Sequence, residues 1–210
     1  MNKQEQYFLL EDYDPEGRCA MIKQKNREQK QVSYQLHFTD PIKENWKDAI
    51  EFEFAKPYPR RPIMADYHYW SSPKVFSNRI KETIESMNIP DIDFLDAEIT
   101  NRKGETYNEY FIIHVRKLVA CFDKEKSIWG PPAFDPNKVM SIEKMVLDMD
   151  KLEKIPLKER LIFRLEECVN YTLFHESVVD VIAELKPIAT GFRFISVGAW
   201  GEDIGWELDD

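Results

Sequence analysis

Few residues of this sequence have the type and spacing that catalysis requires. His175 and Glu176 begin like the metal-binding helix of a zinc protease, but residue 179 is Val, so the second histidine ligand is missing. Cys121 and His114 are conceivable as a nucleophile and its base, yet the length of strand between them would hold them roughly 23 Å apart. The chain has only 7 glycines and no glycine-rich phosphate loop. We therefore predict no catalytic residue, no cofactor and no metal, with an enzyme of unknown reaction as the alternative.

The densest run of carboxylates, from Asp91 to Glu98, is better explained by exposure to solvent than by binding of a metal ion. A calcium loop needs a tight-turn glycine, which this run lacks, and its acids alternate with large apolar residues. The run therefore predicts a strand with solvated carboxylates.

Two segments carry side chains suited to binding a protein partner. One is the most aromatic window of the chain, and the other is the C-terminal segment, which holds five acids and two tryptophans after the last basic residue, Arg193. Tyr and Trp are enriched in binding hot spots, and acids favour a basic partner. The predicted partner-binding residues are Asp66, Tyr67, His68, Tyr69, Trp70, Trp200, Glu202, Asp203, Trp206 and Glu207. The alternatives are core packing for part of the aromatic window and a solvated terminus with one tryptophan against the core.

Net charge limits the class of partner. The 210 residues include 38 acidic and 29 basic ones, a net charge of −9. This charge repels nucleic-acid phosphates and attracts a basic protein, although solubility alone is another reason for an acidic surface. No apolar run approaches the ~20 residues of a membrane helix, and residues 1–6 lack the apolar stretch of a signal peptide. Three widely spaced cysteines fit a reducing compartment, so we expect a cytoplasmic protein.

The elements that must position these residues are organised around residues 75–95, which predict a short strand, a helix and a second strand. The pattern returns later in the chain, where Val178, Ile182 and Phe192 match Ile80, Ile84 and Phe94. We therefore predict two copies of one strand-helix-strand unit, at about 75–96 and 173–194, although any two amphipathic helices between strands could align this well. Ser77 is expected to cap the first helix with its hydroxyl, and His175 is the poorer cap at the matching position of the second.

The first third of the chain reads as a separate, strand-rich region. Tyr34, Leu36 and Phe38 alternate with polar residues and predict a strand. Three prolines between Lys56 and Pro62 exclude a central strand or helix and mark the best boundary. We predict an N-terminal lobe, 1–61, and a domain, 62–210, that contains both units, with one continuous domain as the alternative. The predicted fold class is α+β, with mixed, mainly antiparallel sheets and a duplicated strand-helix-strand unit.

Several packing motifs between about residues 62 and 196 resemble those of a bacterial family. They are the Val75-Phe76-Ser77 start of a helix, the strand Ile112 to Cys121 with a charged turn and Trp129 after it, and the strand Leu161 to Leu165 before the second unit. On these features the chain resembles immunity family eleven of the polymorphic toxin systems, formerly a domain of unknown function. His175 departs from the serine that starts the first unit.

The resemblance implies a cytoplasmic protein that binds and neutralises a cognate toxin delivered by neighbouring cells, for example through type VI secretion. Toxins of such systems are often nucleases, and the resemblance supplies no catalytic residues. We expect occlusion of a toxin with a basic active-site groove, without direct contact to nucleic acid or membrane. The alternatives are the enzyme of unknown reaction and a structural or adaptor subunit of a secretion-linked assembly. The toxin's identity and the oligomeric state stay open.

Overall fold

The computed structural model describes residues 3–25, 34–43, 46, 48–56, 61–68 and 73–201. Six strands form the larger sheet: β2 (Ile22–Gln24), β3 (Ile50–Phe54), β4 (Tyr67–His68), β5 (Val75–Ser77), β6 (Ile92–Thr100) and β7 (Thr106–Val115). Their order across the sheet is β2-β3-β6-β7-β5-β4. Within it β3 and β6 run parallel, and the other neighbours are antiparallel.

A second sheet has five strands: β1 (Tyr7–Tyr13), β8 (Leu118–Val119), β11 (Ile162–Leu165), β12 (Thr172–His175) and β13 (Gly191–Ser196). Their order is β13-β1-β12-β11-β8, with β8 parallel to β11 and the other neighbours antiparallel. A small antiparallel pair, β9 (Ile128–Gly130) and β10 (Ser141–Lys144), lies outside both sheets.

The helices are short: α1 (Asn78–Ser86), α2 (Met149–Leu152) and α3 (Glu176–Ala183), with 3-10 turns at Lys3–Gln6 and Leu157–Arg160. The predicted α+β class with mixed, mostly antiparallel sheets is therefore confirmed. Among the described residues, no helix has the length and apolar character needed to span a membrane.

Alternation along the second half of β7 buries both faces of that strand. In β7, Tyr110 and Ile112 face an outer core, whereas Phe111 and Val115 face the inner core, which we define as the apolar cluster that both sheets share. This period of two is the geometry of a strand covered on both faces. The inner core also receives Ile80 and Ile84 of α1 and Val178 and Ile182 of α3, so both helices bury their apolar stripes where the sheets meet.

The side chain predicted to be the better helix cap makes no cap hydrogen bond, and the one predicted to be poorer does. Ser77 occupies the N-cap position of α1, but its hydroxyl makes no cap hydrogen bond and instead donates to the Asp66 carboxylate at 2.7 Å. His175, expected to be the poorer cap, accepts from the backbone N–H of Ser177 at its Nδ1, at 3.2 Å. As a cap, the Ser77 oxygen would accept from a backbone N–H, but the orientation in which its hydroxyl donates to the charged Asp66 carboxylate leaves it without that bond.

The N-terminal strand belongs to the C-terminal half of the fold. β1 lies between β12 and β13 and pairs antiparallel with both, for example Phe8 with Phe174 and Leu10 with Phe194. β3 likewise pairs with β6, so strands on each side of the predicted boundary at Arg61 share both sheets. This pairing is the arrangement expected of the alternative, one continuous domain.

Both stretches predicted as strand-helix-strand units have that order of elements. In the first, β5 and β6 flank β7 and α1 connects them; in the second, β12 and β13 flank β1 and α3 connects them. The central strands also have similar sequences at matching register, Tyr110-Phe111-Ile112-Ile113 in β7 and Tyr7-Phe8-Leu9-Leu10 in β1.

The strand predicted around Tyr34 is wrong. Residues 34–37 form a helical turn in which His37 N–H donates to Tyr34 O at 3.2 Å and Phe38 N–H donates to Gln35 O at 3.0 Å. The alternation of apolar residues is real, but the backbone donors are satisfied locally instead of by a neighbouring strand.

Asp66 is the centre of a buried polar network that joins the two halves. The Arg79 guanidinium donates to both carboxylate oxygens, at 2.6 and 2.5 Å, and also to the carbonyls of Pro187 and Ile188. Thr190 N–H donates to the same carboxylate at 2.9 Å. Burial alone would raise the pKa of Asp66, but the hydrogen bonds from Arg79, Ser77 and Thr190 outweigh it and leave that pKa below its usual value.

We expect Asp66→Asn to lower the free energy of unfolding by about 2 kcal/mol at pH 7, because a charged acceptor of several donors is lost from a buried site. A depressed pKa in the folded state stabilises the protein above the unfolded pKa, and this contribution is lost as the pH falls below about 4. Urea unfolding from pH 7 to pH 3 should therefore show the difference between wild type and variant shrinking. Asp96→Asn, the same change at an exposed strand position, is the control; a difference at Asp66 that stays constant with pH would contradict the assignment.

Candidate functional site

A cleft of about 400 Å³ opens where the two sheets diverge. Its lining comes from both: β1 and β12 on one side, and β4, β5 and β7 on the other, with Trp200 from the chain that follows β13. Clefts of this size with apolar walls and a few polar groups are the usual form of a binding site.

The floor of the cleft is aromatic and aliphatic. Tyr67 is only 4% exposed, and its ring lies 4.9 Å from that of Phe76, centroid to centroid. Phe174 from β12 and Leu10 from β1 also line the cleft. Burial raises the pKa of Tyr67 far above its usual range, and the negative charge of the nearby Asp12 carboxylate raises it further. Tyr67 therefore stays protonated.

Backbone packing fixes the position of Tyr67. Its N–H donates to Thr190 O at 3.2 Å, which brings β4 against the start of β13. The next residue, Gly191, has φ of +93°, and a Cβ there would lie 2.2 Å from the Tyr67 carbonyl oxygen. Only glycine allows this close approach without moving the backbone.

The rim of the cleft holds charges and a second aromatic pair. The rings of Tyr171 and Trp200 meet edge to face at 5.5 Å. Glu11 lines the cleft and pairs with Arg193 at 2.5 Å, and Lys74 lies 5.9 Å from the centre of the Tyr67 ring. The cleft thus offers an apolar interior with acidic and basic groups at its edge.

Of the predicted binding residues, Tyr67 and Trp200 line this one cleft although they are far apart in sequence. Asp66 and His68 do not line the cleft, and their buried side chains instead hold the strand that carries Tyr67. Burial lowers the pKa of His68 to about 4, and its Nδ1 lies 2.8 Å from Ala20 O. The other six predicted residues lie outside the described residues: Tyr69, Trp70, Glu202, Asp203, Trp206 and Glu207.

Sequence reasoning missed the cleft residues on β1 and β12. Leu10, Asp12 and Phe174 belong to strands more than a hundred residues apart, and only the pairing of β1 with β12 brings them together. A signal does exist, because β1 reads as an apolar run that would be buried on both faces.

The residues weighed for catalysis are held in separate places. Cys121 is fully buried, and burial raises the pKa of its thiol far above the usual range. His114 contacts Phe38 O and Asp93, and His175 caps α3. Among the described residues, no group of three His, Cys, Asp or Glu side chains is placed to hold a metal ion.

One face of the larger sheet collects carboxylates. Glu51 and Glu53 on β3, and Asp96 and Glu98 on β6, alternate with core residues and share this acidic face. Glu51 is the direct neighbour of Glu98 across the parallel pair. Lys25 and Lys23 pair with Glu51 and Glu53 at 3.3 and 3.0 Å, but all four side chains are at least 41% exposed, so these contacts neutralise the face weakly.

Comparison with known proteins gives one clear result. The model of the immunity protein family Imm11 matches residues 6–198. No curated protein matches the chain. The matched span starts just before β1 and ends just after β13, so it covers both sheets, including the N-terminal third that the sequence motifs left unplaced. The chain belongs to the Imm11 immunity protein family.

Proposed function

We propose that the chain, as a member of an immunity family, neutralises a toxin in the cytoplasm. It does so by binding a toxin with a basic active-site groove, of the kind that nucleases have, and covering that groove. The groups offered to the toxin are carboxylates that steer the encounter and aromatic side chains that slow dissociation.

The observation that carries this proposal is the acidic face. Like charges on directly neighbouring strand positions destabilise a sheet, yet Glu51 and Glu98 stand side by side, with Asp96 on the same face. A basic partner would relieve that repulsion on binding. The net charge of −9 acts in the same direction at longer range, because it attracts a cationic surface before contact.

In this proposal the cleft provides the aromatic contacts that hold the toxin once it is bound. Tyr67, Trp200 and Tyr171 give it rigid aromatic walls, and such side chains dominate the energetics of protein interfaces. Tyr69 and Trp70 follow Tyr67 closely in sequence, and Glu202, Asp203, Trp206 and Glu207 come within seven residues after Trp200.

We also infer that the fold is one continuous domain containing a duplicated unit. Three features support the duplication. The strand order around β7 is the same as that around β1, and α1 and α3 occupy the same place in each unit. The central strands also carry the same Tyr-Phe sequence at matching register. In the second unit the central strand is β1, from the N-terminal part of the chain. It pairs with β13, so both strands belong to one sheet.

Neutralisation is tested by expressing the product of the gene adjacent to that of this chain, with and without the chain. We expect growth arrest from the adjacent product alone and restored growth with both, together with a complex in size-exclusion chromatography. Rescue without a detectable complex would contradict neutralisation by binding. A complex that leaves the toxin's activity intact in a purified assay would contradict occlusion.

If charges steer the encounter, the association rate of this chain with the product of the adjacent gene should depend on salt concentration. Glu98→Lys should slow association roughly tenfold at low ionic strength, with a smaller effect at 1 M salt, because exposed charges act over a Debye length. Glu184→Lys changes the net charge equally at the exposed end of α3 and should change the rate by less than about twofold. Equal effects of the two variants in stopped-flow mixing would assign the steering to net charge alone and exclude the acidic face.

If the cleft anchors the toxin, the dissociation rate of the complex should depend on Trp200. Trp200→Ala should weaken binding by about 2 kcal/mol, roughly thirtyfold, mainly through a faster dissociation rate. Because Trp200 also packs on the core, Asn170→Trp at the exposed edge of the cleft provides a second variant, which fills the cleft without removing packing. Surface plasmon resonance should show both changes, and Ile128→Ala on the β9 strand should show neither. Unchanged dissociation of both cleft variants would exclude the cleft.

A further inference from the structure

His114 on β7 holds the backbone of the turn at residues 34–38. Its side chain is only 1% exposed, and its Nε2 lies 2.9 Å from the Phe38 carbonyl oxygen. A carbonyl oxygen can only accept a hydrogen bond, so this nitrogen carries the proton of the ring. The same carbonyl accepts from Nη2 of Arg164 on β11 at 2.9 Å, and Nη1 of Arg164 donates to Leu36 O at 2.6 Å. Two buried side chains from different sheets therefore hold this turn.

The second ring nitrogen of His114 faces a carboxylate with no proton between them. Asp93 is the register partner of His114 across β6 and β7, and its Oδ2 lies 3.6 Å from His114 Nδ1. In the neutral ring Nδ1 has only a lone pair, so this nitrogen and the carboxylate oxygen are both acceptors. Within the described residues neither atom has a hydrogen-bond partner, and 3.6 Å is too long for a hydrogen bond between them. One proton added at Nδ1 would supply the missing donor.

Charged groups on three sides of His114 decide when that proton binds. Arg164 on β11 and Arg116, which follows β7, oppose a further positive charge, whereas the Asp93 carboxylate on β6 favours it. Arg116 Nε also lies 3.1 Å from the same Asp93 oxygen. Burial and the two guanidinium groups outweigh Asp93 and the hydrogen bond to Phe38, so the pKa of His114 lies below its usual value. The ring is therefore neutral at pH 7 and takes up a proton only in more acidic solution.

Protonation changes which partner the ring prefers. The imidazolium can donate a charge-assisted hydrogen bond to Asp93, but shortening the 3.6 Å separation to the ~2.8 Å of such a bond moves the ring away from Phe38. The protonated ring also stands beside the guanidinium of Arg164, which donates to the same carbonyl. Both effects weaken the hold of His114 on the Phe38 carbonyl.

We propose that His114 is an acid-sensitive latch for the turn at 34–38. In its neutral form it fixes the Phe38 carbonyl, and in its protonated form it pairs with Asp93 and lets the turn open. The turn is separate from the residues that line the cleft, so the latch does not depend on the proposed function.

Hydrogen exchange at different pH values tests the latch. A histidine whose pKa is lowered in the closed form binds a proton more readily once the turn opens, so opening becomes easier as the pH falls below about 6.5. Between pH 7.5 and pH 5.5 the protection factors of the amides of residues 37 and 38, which donate within the turn, should fall by up to roughly tenfold.

Two variants assign this fall to one side chain. His114→Gln keeps an N–H donor for the Phe38 carbonyl but takes up no proton, so its protection factors should stay constant over the same pH range. The matched control is His37→Gln, which removes an exposed histidine from the same turn and should behave like the wild type. A fall of equal size in His114→Gln, or its loss in His37→Gln, would overturn the inference.

The proton can also be followed directly in the wild type, which keeps the latch testable if the glutamine variant does not fold. Nitrogen NMR of the imidazole should show the proton of His114 on Nε2 at pH 7.5 and a second proton arriving at Nδ1 on acidification. Asp93→Asn removes the carboxylate that favours the imidazolium, so the midpoint of this titration should move to lower pH. A proton already on Nδ1 at pH 7.5, or a midpoint that Asp93→Asn leaves unchanged, contradicts the latch. These measurements need no toxin, so their outcome is separate from that of the neutralisation test.

Discussion

The antiparallel ladder that holds β1 between β12 and β13 is the interaction on which the rest of the structure depends. Removing it would leave β13 with no strand neighbour in the described residues and would open the inner core beside Phe174. The ladder also positions side chains around it, since Arg160 donates to the Tyr7 hydroxyl and Arg193 pairs with Glu11. Most importantly, it carries Leu10 and Asp12 to the cleft, so the N-terminal strand β1 completes a site whose other lining residues come from segments 67–115 and 170–200.

Whether a feature of the fold can be predicted from the sequence depends on how far apart along the chain its interacting residues lie. The helices around Ile80 and Val178 and the strand β7 are predicted from local periodicity, because burial on one face or two leaves a period of 3.6 or 2 in the sequence. The insertion of β1 leaves no such trace, since pairing with residues more than 160 positions away depends on the whole fold. The same reason hides the cleft, of which the sequence indicates Tyr67 and Trp200 but not their shared location.

The failed expectations concern residues with a competing partner. Ser77 has a good side chain for a helix cap, but donating its hydroxyl to the Asp66 carboxylate fixes the side chain where its oxygen accepts no backbone N–H of the helix. The alternating residues at 34–38 have the pattern of a strand, but Arg164 and His114 take the carbonyls that a neighbouring strand would need. In both places a buried polar group on another element of the fold overrides the local propensity of the residues.

Asp66 and Arg164 show two different uses of a buried charge. Asp66 meets Arg79, so its charge is compensated, and the network stabilises the contact between the two motifs. Within the part of the chain that the structure describes, Arg164 meets only carbonyls and the neutral His114, whose pKa is lowered by burial and by the nearby Arg164 charge. Replacing such an arginine by an apolar residue of similar volume would cost little stability or none. Its presence is therefore better explained by the position it imposes on the backbone of residues 36–38 than by any gain in free energy of folding.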